Sequence, residues 1–307
     1  MTPKMSLIIM FLMSRIGILN ASSQCHTGEH SIGGMYLRGH TFKTYRVGLP
    51  EMCYFRCEEE VMCQSYNFVI AQKICELNNR TKEATPEDFM PDQRRFYIKL
   101  SQNRVPLGSI KELPADTCGE IKASEGDEMV DGMYWIFSEE NGEVIEAYCK
   151  EGWQKINVKG PVCFGAKDNE YGSFNITKSG RVKTMKLIHR SGSVHCNPTT
   201  GTSYWGCTNP RYGGGDLMTI ITDADKKPFL PPAEDLKDLG VPGEKAHFYS
   251  LPGYHHNSSE LVFRTLVNPL FVFNNQEMQI WYGHDWMDLR ERDNGGKTCV
   301  DVYALYA

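Results

Sequence analysis

Four cysteines fall within 23 residues: Cys53, Cys57, Cys63 and Cys75, spaced C-x3-C-x5-C-x11-C. Such a cluster serves disulfides, a metal or redox chemistry. Zinc and thioredoxin-like redox sites favour CxxC pairs, and the chain has none. The compartment then decides. Residues 1–23 carry Lys4, an apolar run over 5–13 that Arg15 follows, and a small polar ending, Asn20-Ala21-Ser22-Ser23. That order predicts a secretory signal peptide cleaved after Ser23. The run is too short for a membrane span, which needs roughly 20 residues. In an oxidising compartment clustered cysteines become disulfides.

Cleavage leaves 284 residues, enough for two domains. A hydrophobic content of 41% supports packed cores. Losing Lys4 and Arg15 moves the net charge from −5 to −7. That argues against nucleic acid or an anionic membrane as partner. The most apolar later stretch, 261–273, contains Arg264, Asn268 and Pro269 and predicts no membrane span. Three Asn-x-Ser/Thr sequons remain after cleavage, beginning at Asn79, Asn175 and Asn257. Each predicts a glycosylated surface position.

Residues 24–100 read as one module. Residues 35–47 alternate aromatic and β-forming residues, as a strand does. Pro50 opens a helical segment carrying Cys53 and Cys57 on one face. Strands are predicted at 65–70, 73–77 and 95–100. The helix cysteines, then Cys63-Gln64-Ser65-Tyr66-Asn67-Phe68, then Cys75-Glu76-Leu77, resemble a PAN/apple module. The resemblance implies a helix packed on a curled antiparallel sheet, pinned by Cys53–Cys75 and Cys57–Cys63. Many members add a bridge joining the module's ends. Here Cys25 has no counterpart between residues 76 and 117, and eleven cysteines leave one unpaired. Cys25 is the expected odd one.

A linker over 101–115, framed by Pro106 and Pro114, leads to a second domain at 116–307. Its start, with Cys118-Gly119-Glu120-Ile121, Gly132-Met133-Tyr134-Trp135-Ile136 and Tyr148-Cys149, resembles a fibrinogen-like domain and implies Cys118–Cys149. After Cys149 that resemblance ends. Strands are predicted at 184–189, 217–221, 247–250, 260–267, 270–273, 279–282 and 298–306, separated by Gly and Pro clusters such as Gly213-Gly214-Gly215. A local loop bridge is expected for Cys196–Cys207, and elimination leaves Cys163–Cys299. The expected fold is therefore an α+β PAN/apple-like module followed by a mainly-β, fibrinogen-like or sandwich-like domain. The tail from Trp281 to Ala304 resembles extracellular proteins of cnidarians, including those of the coral skeletal organic matrix.

Asp285, Asp288, Glu291 and Asp293 lie within nine residues. Asp285, Asp288 and Asp293 are candidate calcium ligands, since Ca2+ takes six to eight oxygens. The EF-hand spacing is absent, and a solvated turn through Asp293-Asn294-Gly295-Gly296 is the competing reading. Residues 112–146 hold eleven acids against one base, Lys122, a surface for solvent or for calcium mineral. His255, His256 and His284 lack metal-site spacing. Tyr204, Trp205, Trp281 and Tyr282 either stack on sugars or fill a core. No hydrolase or phosphate-loop signature is present, and no catalytic residue or cofactor is expected. Both resembled families mediate protein or carbohydrate contacts. The expectation is a secreted, non-catalytic adhesion protein of the extracellular matrix, within a mineralised skeleton. Its expected partners are matrix proteins, glycans or a calcium mineral surface. The alternative is a soluble lectin in recognition or defence.

Overall fold

Short strands with buried aromatic and aliphatic residues build the first unit around its cysteines. The computed structural model describes residues 30–101, 103–138, 142–209, 216–237 and 247–307. The expected signal peptide, Cys25 and Gly213-Gly214-Gly215 lie outside the described residues. Strands β1 (Ile32–Leu37), β2 (Thr41–Arg46), β3 (Ser65–Val69), β4 (Ile74–Asn78) and β5 (Phe89–Lys99) form one antiparallel sheet in the order β1-β5-β3-β4-β2. The strand predicted over 35–47 is two strands. The chain turns at residues 38–40 and sends β1 and β2 to opposite sheet edges.

Helix α1 (Met52–Glu58) lays Cys53 and Cys57 against this sheet. Cys53–Cys75 ties it to β4, and Cys57–Cys63 ties it to its own exit turn. The Cα separations of 5.6 and 5.3 Å suit unstrained bridges. All four sulfurs lie in a core with Tyr66, Phe68, Leu77 and Leu100.

The connecting segment is packed rather than loose. Leu107 and Leu113 are fully buried and join Ile121 and Ile136 in a core of their own. Helix α2 (Cys118–Glu125) starts at Thr117, whose hydroxyl accepts from the Glu120 N–H at 3.0 Å. Met62 and Ala84 of the first unit pack onto the same core. Two buried ion pairs cross that contact. Arg80 Nε donates to Glu120 Oε1 at 2.5 Å, and the Arg80 Nη2 group donates to Pro114 O at 2.8 Å. Arg104 grips Glu125 through both nitrogens, at 2.9 and 2.6 Å. Burial pushes the Glu120 carboxyl up, while the Arg80 guanidinium pulls it back.

The second unit is mainly β. Its larger sheet contains β6 (Gly132–Ser138), β7 (Glu143–Lys150), β8 (Trp153–Lys155), β17 (Gly295–Tyr306), β11 (Gly180–His195) and β14 (Glu260–Val262). Strand β9 (Val162–Gly165) pairs with β17, and β15 (Leu270–Val272) pairs with β11. The smaller sheet runs β10 (Gly172–Asn175), β16 (Glu277–Tyr282), β12 (Thr219–Asp223), β13 (Pro228–Leu230). One apolar core joins both sheets, with Leu187, Val302, Ile220 and Ile280 fully buried, a sandwich-like arrangement. Helix α3 (Gly283–Trp286) follows β16 directly.

The bridges here are Cys118–Cys149, Cys163–Cys299 and Cys196–Cys207. The long ladder of β11 on β17 shifts register between Val182 and Thr184 and between His189 and Ser191, and at Gly192 (φ +78°) a Cβ would sit 2.1 Å from Lys297 O. The strand predicted at 247–250 makes only isolated bridges, at Phe248 and Tyr249. The one predicted at 260–267 ends at Val262. Beyond it the Phe263 and Leu266 N–H groups still reach β11, and Phe263 O accepts from the Thr184 hydroxyl.

Truncating one partner of a buried ion pair strands the other charge. Arg80→Met should therefore cost about 3–5 kcal/mol, while Arg80→Met combined with Glu120→Met should recover most of that loss. Denaturant titration of the single and double variants measures both.

Candidate ligand-binding groove

Three polar segments converge beside β10. The loop from Ile156 to Pro161, the outer face of β10, and the turn at Asn274 and Asn275 enclose an open groove of about 850 Å3. That lies within the usual range for small-ligand sites, roughly 300–1,000 Å3.

Each wall is fixed by the fold. Asn157 Oδ1 accepts from Val302 N–H at 2.7 Å, and its Nδ2 donates to Gly160 O at 2.8 Å and to Asp301 Oδ1 at 3.0 Å. Asp301 is buried. Burial works against its charge, but bonds from Asn157, Lys155 and Arg190 prevail and hold its carboxyl below the usual range. Gly172 lets β10 approach β9 closely. A Cβ there would meet Val162 Cγ1 at 2.7 Å and Cys163 O at 2.8 Å. Cys163 lines the groove and is bonded to Cys299 in the register position opposite it. The far turn is held by the Asn275 N–H on Ile176 O at 2.8 Å and the Asn274 N–H on Ser179 Oγ at 2.7 Å.

Tyr171 stands at the lip, 40% exposed, and stacks on the buried Trp281 with ring centroids 4.6 Å apart. Lys226 Nζ lies 4.4 Å from the Trp281 centroid and donates to Asn169 Oδ1 at 3.2 Å. Just beneath, Asp168 (φ 62°) and Asn169 (φ 56°) form a left-handed turn. Two carboxylates capture its N–H groups: Glu291 takes Asp168 at 2.9 Å and Asp285 takes Asn169 at 2.7 Å. Strained backbone held this firmly is a frequent mark of a functional region.

The candidate calcium ligands do not converge. Asp285 points inward, with its second oxygen buried and without a partner. Asp288 is exposed, and Asp293 is exposed and accepts from Asn197. Among the described residues no group of three or more His, Cys, Asp or Glu is arranged to hold a metal ion. The turn expected at Asp293-Asn294-Gly295-Gly296 is instead a short 3-10 turn, Glu291–Asp293, running into β17. Burial pushes the Asp285 carboxyl up to about 6, with Glu291 and Asp288 adding to it against the Asn169 bond.

His284 is buried, and burial pulls its pKa down to about 4 despite a bond to Asn294. His255 lies on an exposed loop, where its Nδ1 accepts from the Asn257 N–H at 3.1 Å. Trp205, Trp281 and Tyr282 belong to the interior, and Tyr204 stacks on His189 at 3.6 Å. Of the acids over 112–146, Glu120 and Glu125 are consumed inside the fold rather than presented to solvent. Asn175 and Asn257 are exposed, whereas Asn79 is half-buried. Among the groove residues only Asn175 carried a motif, its sequon; Tyr171, Asn157, Asn274 and Asn275 carried none.

Residues 28–102 match the family model of the PAN domain. Among solved structures, AJLec from the sea anemone Anthopleura japonica matches with 34% sequence identity and a TM-score of 0.47, covering 51% of this chain and 98% of that one. No curated protein matches the chain. The first unit is thus a PAN module, and the rest is mainly β.

The buried Asp285 yields a signed pH dependence. Its raised pKa favours the folded state fully below the ordinary carboxylate value near 4, and that contribution is lost as pH rises through about 6. Asp285→Asn keeps an oxygen for the Asn169 N–H and abolishes the titration. Relative to the parent, the variant should be more stable at pH 8 than at pH 4 by roughly 2 kcal/mol. Urea midpoints at the two pH values measure this, and equal differences would refute it.

Proposed function

We propose that this protein is a secreted, non-catalytic adhesion protein whose β-rich unit binds glycans in the groove beside β10. The observation that carries the reading is the groove's make-up. Side-chain amides and hydroxyls from Ser173, Asn274 and Asn275 share it with the exposed ring of Tyr171, over a wall fixed by the buried Asn157. Amides and hydroxyls match the paired donors and acceptors of sugar hydroxyls, and an aromatic face stacks on a sugar ring. The walls are pre-set by buried bonds, so little ordering cost falls on binding. Five disulfides and the PAN module support an oxidising, extracellular setting. No described helix is long and apolar enough to cross a membrane. The PAN module supports a second, protein-directed contact.

Residence in a mineralised skeletal organic matrix is the finer role within this reading. Immunodetection in decalcified matrix, against the surrounding soluble fraction, separates it from a freely secreted lectin.

A glycan array probed with the secreted full-length chain tests the binding. Discrete sugar preferences are expected. Tyr171→Ala should weaken the best of them about tenfold, close to 1.4 kcal/mol, with its melting curve recorded as a control. A flat array with the folded parent protein, both before and after enzymatic removal of its N-glycans, would overturn the reading.

A further inference from the structure

The groove runs along one face of β10. Tyr171, Ser173 and Asn175 are exposed there, alternating with the buried Gly172 and Phe174, as a strand's period of two requires. Asn175 also opens the sequon Asn175-Ile176-Thr177. The other two sequons sit differently. Asn79 is followed by Arg80 and Thr81, both buried in the contact between units. Asn257 is exposed on a loop that does not line the groove.

We propose that Asn175 carries an N-linked glycan whose core lies in the groove, so that the chain's own sugar is the resident occupant and regulates access to the site. This deepens the glycan-binding reading and rests on it for its consequence, though not for its location. In the secretory pathway the Asn175 side-chain nitrogen attacks the anomeric carbon of a lipid-pyrophosphate-linked oligosaccharide. The nitrogen–carbon bond forms, the carbon–oxygen bond to pyrophosphate breaks, and the amide gives up one proton. The attached chain then starts inside the site. Tyr171 lies four residues away along an extended strand, roughly 13 Å at about 3.3 Å per residue. That is the reach of a short core oligosaccharide. The exposed ring of Tyr171 offers a stacking face there, and Asn274 and Asn275 line the same groove with donors and acceptors. An external glycan then binds only where the resident one is absent or cut back.

The test uses the full chain secreted from a eukaryotic host. Native protein is digested with an amidase that removes N-glycans, and release at Asn175 and Asn257 is followed by peptide mass spectrometry. The Asn175 glycan should be released at least tenfold more slowly than the Asn257 glycan, and the two rates should converge after reduction and denaturation. Release at equal rates in the native protein, or an Asn175 that carries no glycan, overturns the proposal. The array is then repeated with Asn175→Gln. A tenfold or greater gain in binding over the parent supports occupancy of the groove. Equal binding by parent and variant refutes the regulation while leaving the groove a glycan site. Silence from both refutes the binding role, and the release rates then decide where the resident glycan lies.

Discussion

The pairing of β11 with β17 carries the second unit. It runs from Val182 opposite Tyr306 to His195 opposite Gly295. Strands β8 and β9 hang from β17, and β14 and β15 hang from β11. Both long walls of the groove are attached to this ladder, one through Asn157 and Asp301, the other through the β15 turn. The partners are far apart in sequence, so the ladder forms at a high loop-closure cost. Cys163–Cys299, with 136 residues between its ends, offsets about 5 kcal/mol of that cost on a loop-closure estimate.

The two units meet through chemistry that composition alone describes poorly. A negative balance and a run of acids near α2 suggest a repelling, solvated face. Glu120 and Glu125 instead sit inside, opposite Arg80 and Arg104. The arginines come from the first unit and the connecting segment, so the pairs orient the PAN module on α2. Met62 and Ala84 supply the apolar part of the same contact. Charged groups set the geometry here, and apolar burial supplies the larger share of the energy.

Much of the first unit was legible because cysteine spacing and strand alternation act locally. Cys53 and Cys57 share a helix face at any register, and Tyr66-Asn67-Phe68 alternates as a central strand does. The long final strand was legible because residues 298–306 are rich in β-branched and aromatic residues. Other parts were not. Helix α2 is capped by Thr117 with Glu120 three residues on, a recognisable start signal, yet it is too short for periodicity to register. Strands β9 and β10 have four residues each, too few to separate from a loop. The groove is invisible in sequence because its lining comes from three separate segments, near 156–163, 171–177 and 274–275. Asp285, Asp288 and Asp293 looked like one cluster because spacing does not give direction. The turn after β16 sends Asp285 inward and leaves the other two in solvent.

The claim beneath all of this is that the chain is an exported body locked by oxidised sulfur, with the groove wall tied to the final strand. Peptide mapping of the secreted protein without reduction tests it directly. The expected result is linked peptides for Cys53–Cys75, Cys57–Cys63, Cys118–Cys149, Cys163–Cys299 and Cys196–Cys207. Free thiols at these ten positions, or Cys163 and Cys299 bonded elsewhere, would contradict it.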